Sequence, residues 1–273
     1  MAAIGVAVTA CGPSLATLQP AHVAPKGHLQ VAAGVEVGVP TGTISRVLDS
    51  GVTLSKAAGD RALTDAEVAQ LFDAGVILTT SPPSAGYVFA LAYTIVDRTE
   101  VQARYAGGGW RLGGRYQVLR HEDGPFDFVV GLGVARSTAS IPFTDEVPAL
   151  HVDDFSRWSY DLPLQIGTSR DWFRVWIGPR IMYSRFGTRV TVTLPNNPVE
   201  EARLDGNALY LGGQGGVAFG YRYAFVGFEL TMAGMMGSAT ASATSTSMLS
   251  VPGRSTDISG LVVYPAFSLM GEF

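Results

Sequence analysis

The feature that most constrains this chain is a period of two in hydrophobicity, repeated in ten separate segments. In the first segment, Leu29, Val31 and Val35 alternate with Gln30 and Glu36. Successive side chains of a β-strand point to opposite faces, so this alternation predicts strands with one apolar and one polar face. The ten segments are residues 28–38, 86–95, 100–106, 110–119, 126–135, 158–166, 173–183, 209–221, 226–232 and 261–273. Most are close to the ~9–11 residues with which a tilted strand crosses a bilayer.

Composition narrows the environment of these strands. Hydrophobic residues make up 47% of the 273 residues and charged residues only 15%, whereas soluble domains carry about 25% charge. The sequence contains no apolar run of ~18 residues, the length a transmembrane helix needs. Only helices and closed barrels satisfy every backbone hydrogen bond in lipid. The sequence therefore predicts an all-β fold, an antiparallel transmembrane barrel of about ten strands, with eight to twelve left open.

The connections between the predicted strands support this interpretation. Transmembrane barrels have short turns at one end and longer loops at the other. The even-numbered connections are all short, and four of the five odd-numbered ones are long: 39–85, 136–156, 187–207 and 237–257. The Ser, Thr and Ala residues of 238–247 have the composition of a flexible loop. Residues 188–195 also alternate, and they either extend strand seven or form an extra strand.

Aromatic residues concentrate near the ends of the predicted strands, as they do at the two interfaces of a membrane. At the long-loop ends these are Tyr87, Tyr105, Trp110, Trp158, Tyr160 and Tyr183. At the opposite ends they are Tyr93, Phe126, Phe173, Tyr221 and Phe273. Three prolines, Pro163, Pro179 and Pro265, fall inside predicted strands, where each removes a ladder donor. They are expected at bulges or at strand ends.

The C-terminus carries a family resemblance. The ending Phe267-Ser268-Leu269-Met270-Gly271-Glu272-Phe273 resembles the C-terminal assembly signal of Gram-negative outer-membrane β-barrel proteins. In it, Phe267, Leu269 and Phe273 match the alternating apolar positions and the terminal aromatic. The resemblance implies a bacterial outer-membrane location, with lipid as the surroundings, both termini in the periplasm and the barrel-assembly machinery as a transient partner.

A second resemblance lies at the N-terminus. Residues 1–10 are a short apolar, signal-like segment, and Val8-Thr9-Ala10-Cys11 resembles the lipobox of bacterial lipoproteins. That resemblance implies a lipid anchor on Cys11; the alternative is an ordinary signal peptide with an incidental cysteine. Residues 11–27 contain Pro13, Pro20 and Pro25 and are predicted to be an extended tether leading to a barrel over 28–273. Because Cys11 is the single cysteine, the chain has no internal disulfide.

Residues 40–84 differ from the rest of the chain. Val47, Leu48 and Val52 recur at helical spacing, and Thr64 with Glu67 forms a capping-box pattern. These patterns predict one or two short helices after the first strand. They belong either to a structured outer loop or to a plug folded into the lumen.

Strand parity assigns eight charged residues to the lumen, because a charge facing lipid near the midplane costs a few kcal/mol. They are Glu36, Arg104, Arg111, Arg115, Asp161, Arg174, Arg180 and Glu229. One interpretation is a network of ion pairs that fills a narrow interior. The other is a small, mildly anion-favouring pore lined by the five arginines.

Little in the sequence indicates catalysis or a cofactor. Omptin proteases resemble this chain in strand number and use an Asp pair with an Asp–His pair at the outer rim. Here only His151, Asp153 and Asp154 cluster, in a predicted loop, so an omptin-like or lipid-modifying rim enzyme is the least favoured hypothesis. The four scattered histidines have no metal-ligand spacing, and the net charge of −4 offers no basic patch for nucleic acid. The favoured hypothesis is a structural, adhesive or partner-binding barrel acting through its outer loops, with a small-solute channel as the alternative.

Overall fold

A computed structural model gives the fold of the chain. It describes residues 13–41, 50–54, 57, 61, 63–64, 66–67, 70, 73–74, 76–77, 84–120, 124–138, 150–192, 200–243 and 255–273.

Ten antiparallel strands form one closed barrel, which confirms the fold predicted from the alternation. Each strand pairs with the next along the chain, and β1 pairs with β10 to close the cylinder. The strands are β1 (Leu29–Thr41), β2 (Ser84–Val96), β3 (Thr99–Ala106), β4 (Gly109–Leu119), β5 (Asp127–Ser137), β6 (Leu150–Ser169), β7 (Phe173–Val192), β8 (Glu200–Tyr221), β9 (Ala224–Ala243) and β10 (Ser255–Glu272).

The closure brings the start of β1 and the end of the chain together. The Phe273 N–H donates to the Leu29 carbonyl at 2.9 Å, and the Leu29 N–H donates to the Phe273 carbonyl at 2.8 Å. The connections 97–98, 120–126, 170–172 and 222–223 lie at this end, which we call the short-turn end. The opposite, long-loop end also holds one tight turn, Gly107–Gly108. Both glycines have positive φ, 57° and 68°, as a two-residue hairpin turn requires.

The barrel wall is much taller on one side than on the other. Strands β1–β5 have 8–13 residues, whereas β6–β10 have 18–22. Residues 150–156, 187–192, 200–207, 237–243 and 255–257, which were expected in loops, are strand. Residues 188–192 extend β7 and do not form an extra strand.

The outward face marks where the tall strands leave the lipid. Tyr183 pairs with Leu209, which pairs with Met236, and all three are outward-facing and apolar or aromatic. Beyond this line the outward positions become polar, beginning with Arg185 on β7 and Asn207 on β8. Nine further residues of β7 follow Tyr183, and at about 3.3 Å each they reach roughly 30 Å along the strand. We call residues 150–157, 184–192, 200–208, 237–243 and 255–260 the extramembrane wall.

The prolines did not mark bulges or strand ends. Pro163 pairs with Arg180, Pro179 with Gly213 and Pro265 with Leu230, each in the register of its neighbours. The register shifts that the described strands contain lie elsewhere, at 94/96, 117/119 and 153/156. Each proline lacks one N–H donor, but the strand pairing continues on both sides of it and keeps the register.

The insertion after β1 is helical at residues 50–54, 57, 66–67, 70, 73–74 and 76–77, as the sequence predicted. Its capping box forms: the Thr64 N–H donates to the Glu67 carboxylate at 2.9 Å. Thr256 of the extramembrane wall donates to Asp73 at 2.7 Å, so this part of the insertion lies at the long-loop end. Among the described residues, no helix is both long and apolar enough to cross a membrane.

Candidate functional site in the barrel lumen

The N-terminal segment occupies the lumen. Leu15, Ala16 and Leu18 are at most 1% exposed. From the short-turn end the segment extends to Pro13, which lies beside Arg104 and Arg111 in the upper lumen. Residues 11–27 are predicted from the sequence to be an extended tether leading to the barrel, whereas residues 13–24 lie in its interior. We call residues 13–24 the lumen segment.

Glu229 of β9 is the main acceptor for the lumen segment. Its carboxylate accepts the main-chain N–H groups of Thr17 at 2.5 Å and Leu18 at 2.8 Å, and the Thr17 hydroxyl at 2.7 Å. The Trp176 indole N–H donates to the same carboxylate at 3.0 Å. Trp176 fits in the lumen because residue 216 is glycine: a Cβ there would lie 2.2 Å from the indole ring.

Arginine and glutamine side chains bind the carbonyls of the lumen segment. The Arg115 guanidinium donates to the carbonyls of Pro20 at 2.9 Å and His22 at 3.2 Å. The Gln165 amide donates to the Gln19 carbonyl at 3.0 Å. Buried main-chain groups need partners, and these lumen side chains supply them in place of a β-ladder.

Two further contacts lie toward the ends of the lumen segment. Arg104 donates to the Ala16 carbonyl near the long-loop end. The Val23 N–H donates to Gln117 at 3.1 Å near the short-turn end. Main-chain contacts therefore run along most of the segment.

His22 fixes the segment at the short-turn end. Its Nε2 lies 2.9 Å from the Glu272 carboxylate and 3.1 Å from the Gln30 amide, and its Nδ1 lies 3.0 Å from the Ser169 hydroxyl. Arg174 pairs with Glu272 at 2.9 Å. This cluster ties the segment to β1, β6, β7 and β10 together.

Part of the inner surface of the barrel is apolar. Ala16, Leu18 and Ala21 of the lumen segment pack in a buried cluster with side chains from the barrel. The barrel members are Ala32, Val88, Ala90, Ala106, Trp176, Ala218, Phe225, Ala266 and Met270, which we call the apolar strip. Small alanines dominate this strip and leave room for the segment, so its apolar side chains are kept from water.

Ion pairs between side chains of different strands also lie in the lumen. Asp161 accepts from Arg111 at 2.8 and 2.9 Å and from Arg180 at 2.8 Å, and Arg104 lies 3.2 Å from Glu36. Gly133 makes room for the central group, because a Cβ there would lie 2.4 Å from Asp161 and 2.5 Å from Arg111. Buried charges of this kind are tolerated only when they are paired.

All eight charged residues that parity assigned to the lumen are buried: Glu36, Arg104, Arg111, Arg115, Asp161, Arg174, Arg180 and Glu229. The sequence-based set omitted four charged partners that are also buried or half-buried there: Glu100, Asp127, Arg157 and Glu272. Glu100 pairs with Arg115 at 2.7 Å. The same parity signal could have found them, since Glu100 flanks the outward Val101 and Glu272 flanks the outward Phe273.

These additional residues change the charge of the interior. Among the described side chains, six buried arginines face five buried carboxylates and the partly buried Glu272. The excess of arginine that suggested an anion-favouring pore is therefore absent from the described lumen.

Two unfilled spaces border the lumen segment. A vestibule of about 790 Å³ opens at the short-turn end, lined by Lys26, Arg120, Asp127 and Arg174 among others. Beside Pro13 only about 30 Å³ remains. The part of the chain that the structure describes has no group of three or more His, Cys, Asp or Glu that could hold a metal.

The remaining predicted positions lie outside the lumen. His151 to Asp154 belong to β6, not to a loop, and Asp154 lies 3.4 Å from Arg189 on the exposed wall. Cys11 lies outside the described residues. Phe267, Leu269 and Phe273 are more than half exposed on the outward face. Phe267 contacts Phe228 of β9 with ring centroids 4.8 Å apart.

No family model and no curated protein matches the sequence. Among solved structures, the chain is similar to a major outer membrane protein of Thermus thermophilus, with 11% identity, a TM-score of 0.39, and 90% of this chain and 99% of that chain covered. It is also similar to Ail, the attachment invasion locus protein of Yersinia pestis, with 7% identity, a TM-score of 0.34, and coverage of 91% and 99%. For the CymD monoaromatic hydrocarbon channel the values are 10%, 0.32, 92% and 89%.

The inner and outer faces of the barrel differ as a membrane requires. The ladder closes without a free edge, the outward face is an apolar band with aromatic residues at both limits, and the charges point inward. These are the properties of a sheet that crosses a bilayer. The chain is a closed ten-stranded antiparallel β-barrel with the outward face of a membrane-spanning sheet, and residues 13–24 lie inside its lumen.

Proposed function

We propose that this protein is an integral barrel of the bacterial outer membrane that binds a partner at the cell surface through its extramembrane wall. The observation that carries the proposal is a contrast between interior and exterior. The lumen is filled by the lumen segment and by ion pairs, whereas five strands continue well beyond the apolar band. A tall exposed sheet above a filled lumen favours binding of a partner over conduction of solutes.

The chemistry of the wall supports a polar partner. Arg185, Arg189 and Arg203 are exposed on its outward face, and Asp205 lies 3.0 Å from Arg203. Exposed charges of both signs are typical of the polar part of a protein or polysaccharide interface. The pairing of Arg203 with Asp205 leaves both groups largely solvated, so a partner can reach them.

Outer-membrane vesicles provide the test. Vesicles carrying the barrel are applied to immobilised polysaccharides and proteins, and their retention is compared with vesicles lacking it. The triple variant R185S/R189S/R203S should lose most of the retention. The matched control R98S/R170S/R222S removes three arginines at the short-turn end and should keep it. Equal retention of both variants, or retention no greater than that of empty vesicles on every surface, contradicts the proposal.

The proposal requires the wall to face outward, with Leu29 and Phe273 at the periplasmic side. Ser242 on the wall and Asp171 in a short turn are both exposed. Each is replaced by cysteine in a chain whose Cys11 is serine. In intact cells a membrane-impermeant maleimide should label S242C and leave D171C unlabelled. The opposite labelling pattern refutes the orientation.

A lipid anchor on Cys11 remains part of the proposal, with a geometric condition. Two residues span at most about 7 Å, so an acyl chain on Cys11 reaches the inner leaflet only if Pro13 has left the upper lumen. A lipidated chain is thus a second state, in which at least the Pro13 end of the segment has left the lumen; the binding and conductance predictions concern the chain whose Cys11 is unmodified. Mass spectrometry of the membrane-extracted protein tests the modification; an unmodified or absent Cys11 removes it.

We further propose that Phe267, Leu269 and Phe273 form the signal that the barrel-assembly machinery reads. Their outward exposure leaves them accessible before β10 pairs with β1. Deleting Phe273 should slow insertion into proteoliposomes containing that machinery several-fold, whereas Ser242→Ala should not. Insertion at the same rate for both variants contradicts this role.

A further inference from the structure

We propose that the lumen is a binding site for an extended polypeptide, recognised through its main chain as well as through some of its side chains, and that the lumen segment is the resident occupant of that site. The inference concerns the interior of the barrel and does not depend on the function proposed for the wall.

Among the described residues, seven hydrogen bonds hold the segment through its main-chain atoms, and as many reach the side chains of Ser14, Thr17 and His22. Five lumen side chains make the main-chain contacts: Arg104, Arg115, Gln117, Gln165 and Glu229. They bind the N–H groups of Thr17, Leu18 and Val23 and the carbonyls of Ala16, Gln19, Pro20 and His22. Every peptide carries these groups, so a site built from such contacts accepts more than one sequence.

The burial and hydrogen bonding of Glu229 give the strongest support for a peptide-binding lumen. It is fully buried, and the described ion pairs give it no arginine partner, unlike Glu36, Glu100 and Asp161. Its hydrogen bonds come from Thr17, Leu18, Trp176 and Thr231. Removal of the segment takes three hydrogen bonds from this buried carboxylate, which is costly, so the vacated site favours main-chain N–H groups.

The apolar strip defines which side chains fit. The segment places Ala16, Leu18 and Ala21 against it, and the strip is built mostly from alanines. The expected ligand is an extended stretch of about ten residues with small or aliphatic side chains on one face. Its N-terminal end points toward the long-loop end, as in the resident segment.

The segment can leave without breaking the barrel. It contributes no strand to the ladder, and it joins β1 through Pro25, Lys26 and Gly27, which are all exposed. Gly27 has a φ of 86°, which other residues seldom adopt. The exposed turn also offers a cleavage site, because the chain has only two lysines, Lys26 and Lys56.

The experiment nicks the folded, full-length barrel. In the K56R variant a lysine-specific endoprotease cuts only after Lys26, so residues 27–273 remain whole and the lumen segment becomes a separate chain. A fluorescent synthetic peptide of residues 13–24 is then added in excess to the nicked protein in detergent. We expect it to exchange into the lumen, as measured by comigration with the barrel in size-exclusion chromatography and by release of the original segment in mass spectrometry.

Modified peptides separate main-chain recognition from sequence recognition. N-methylation at Thr17 and Leu18 removes the two N–H groups that Glu229 accepts and should weaken binding at least tenfold. N-methylation at Gln19, which is bound through its carbonyl, is the matched control and should weaken binding less. A peptide of the same composition with shuffled small and aliphatic residues should bind within about tenfold of the original. Tight retention of the nicked segment with no exchange over days, or binding indifferent to N-methylation, overturns the proposal.

Hydrogen exchange in the intact chain gives a second test that needs no cleavage. Glu229→Gln keeps the side-chain volume and removes the charge, and should raise the exchange rates of the Thr17 and Leu18 amides at least tenfold. Asp161→Asn is the matched control, since Asp161 is also a buried lumen carboxylate but bonds to Arg111 and Arg180. In both variants the rates for Thr17 and Leu18 are taken relative to those of the barrel strands, because Asp161→Asn also lowers the stability of the whole barrel. Equal exchange rates in the two variants would mean that the lumen merely packs around the segment.

Discussion

At the residue scale, one step along a strand decides whether a side chain meets lipid or the lumen. Glu36 is 3% exposed, whereas its neighbours Val35 and Val37 are 41% and 40% exposed to the membrane side. A carboxylate at either neighbouring position would face hydrocarbon without a partner. In the lumen, Glu36 meets Arg104 and Ser14. The face of the strand on which Glu36 lies therefore decides that its charge is paired in the lumen and does not face lipid.

The ion-pair group around Asp161 permits a stability prediction. Asp161→Asn leaves Arg111 and Arg180 without their shared carboxylate, and breaking a buried pair in this way costs about 3–5 kcal/mol. Equilibrium unfolding in urea, in detergent, measures the change. Asp205→Asn, at the exposed pair on the wall, is the control and should change stability by less than about 0.5 kcal/mol. A loss below about 1 kcal/mol for Asp161→Asn would mean that water already screens the lumen.

Gly216 permits a second prediction at this scale. Alanine there brings a Cβ within 2.2 Å of the Trp176 ring and 2.9 Å of the Phe228 carbonyl, so the indole must shift and weaken its bond to Glu229. Overpacking of this kind costs about 1–3 kcal/mol. Gly213→Ala is the matched control on the same strand, because its nearest atom lies 3.8 Å away. Tryptophan fluorescence during unfolding should report a lower midpoint for G216A alone; equal midpoints contradict the packing argument.

At the element scale, the helical insertion depends on its first turn. Thr64 and Glu67 form the capping box, and Arg61 binds the same carboxylate through two nitrogens at 2.9 and 2.5 Å. The hydrogen bond from Arg61, followed by those from Thr64, lowers the pKa of Glu67 from 4.5 to about 2. The turn is thus stabilised by a charged Glu67.

The pH dependence of this turn follows from the lowered pKa. Because the folded pKa lies below the unfolded one, the contribution is complete above pH 4.5 and is lost as the pH falls toward 2. Hydrogen exchange, corrected for intrinsic rates, should show protection around residues 64–70 decreasing over this window. In Glu67→Gln the protection should be weaker at pH 6 and independent of pH. A wild-type profile that is flat between pH 5 and 2 contradicts the argument.

At the scale of the whole molecule, the occupied lumen predicts a closed barrel. In planar bilayers the intact chain should give no steps of conductance at any voltage, since the segment and the ion pairs fill the passage. Deleting residues 13–24 should create steps. Their cation-to-anion preference, read from the reversal potential in a salt gradient, should be weak because the lumen charges nearly balance. Conductance by the intact chain, or strong anion selectivity of the deletion, contradicts this account.

The sequence by itself predicted about ten strands, with eight to twelve left open, and the direction of most of their side chains. Alternation is a local property with a fixed period, so Leu29 or Arg104 can be assigned a face without knowing the partners of its strand. The same parity reached all eight predicted lumen charges, and it extends to Glu100 and Glu272. The capping box at Thr64 and Glu67 was equally local, because its two members are three residues apart.

Only the tertiary structure decided what fills the barrel and how tall its wall is. Residues 13–24 have no strand period, since their main-chain groups bond to side chains from different strands that meet only when the barrel closes. Ser238–Ala243 have loop-like composition, yet they pair as strand because β8 and β10 flank them. Local patterns predict which face of a strand a residue occupies. What fills the lumen and how tall the wall is depend on contacts between residues far apart in the sequence, such as Thr17 and Glu229.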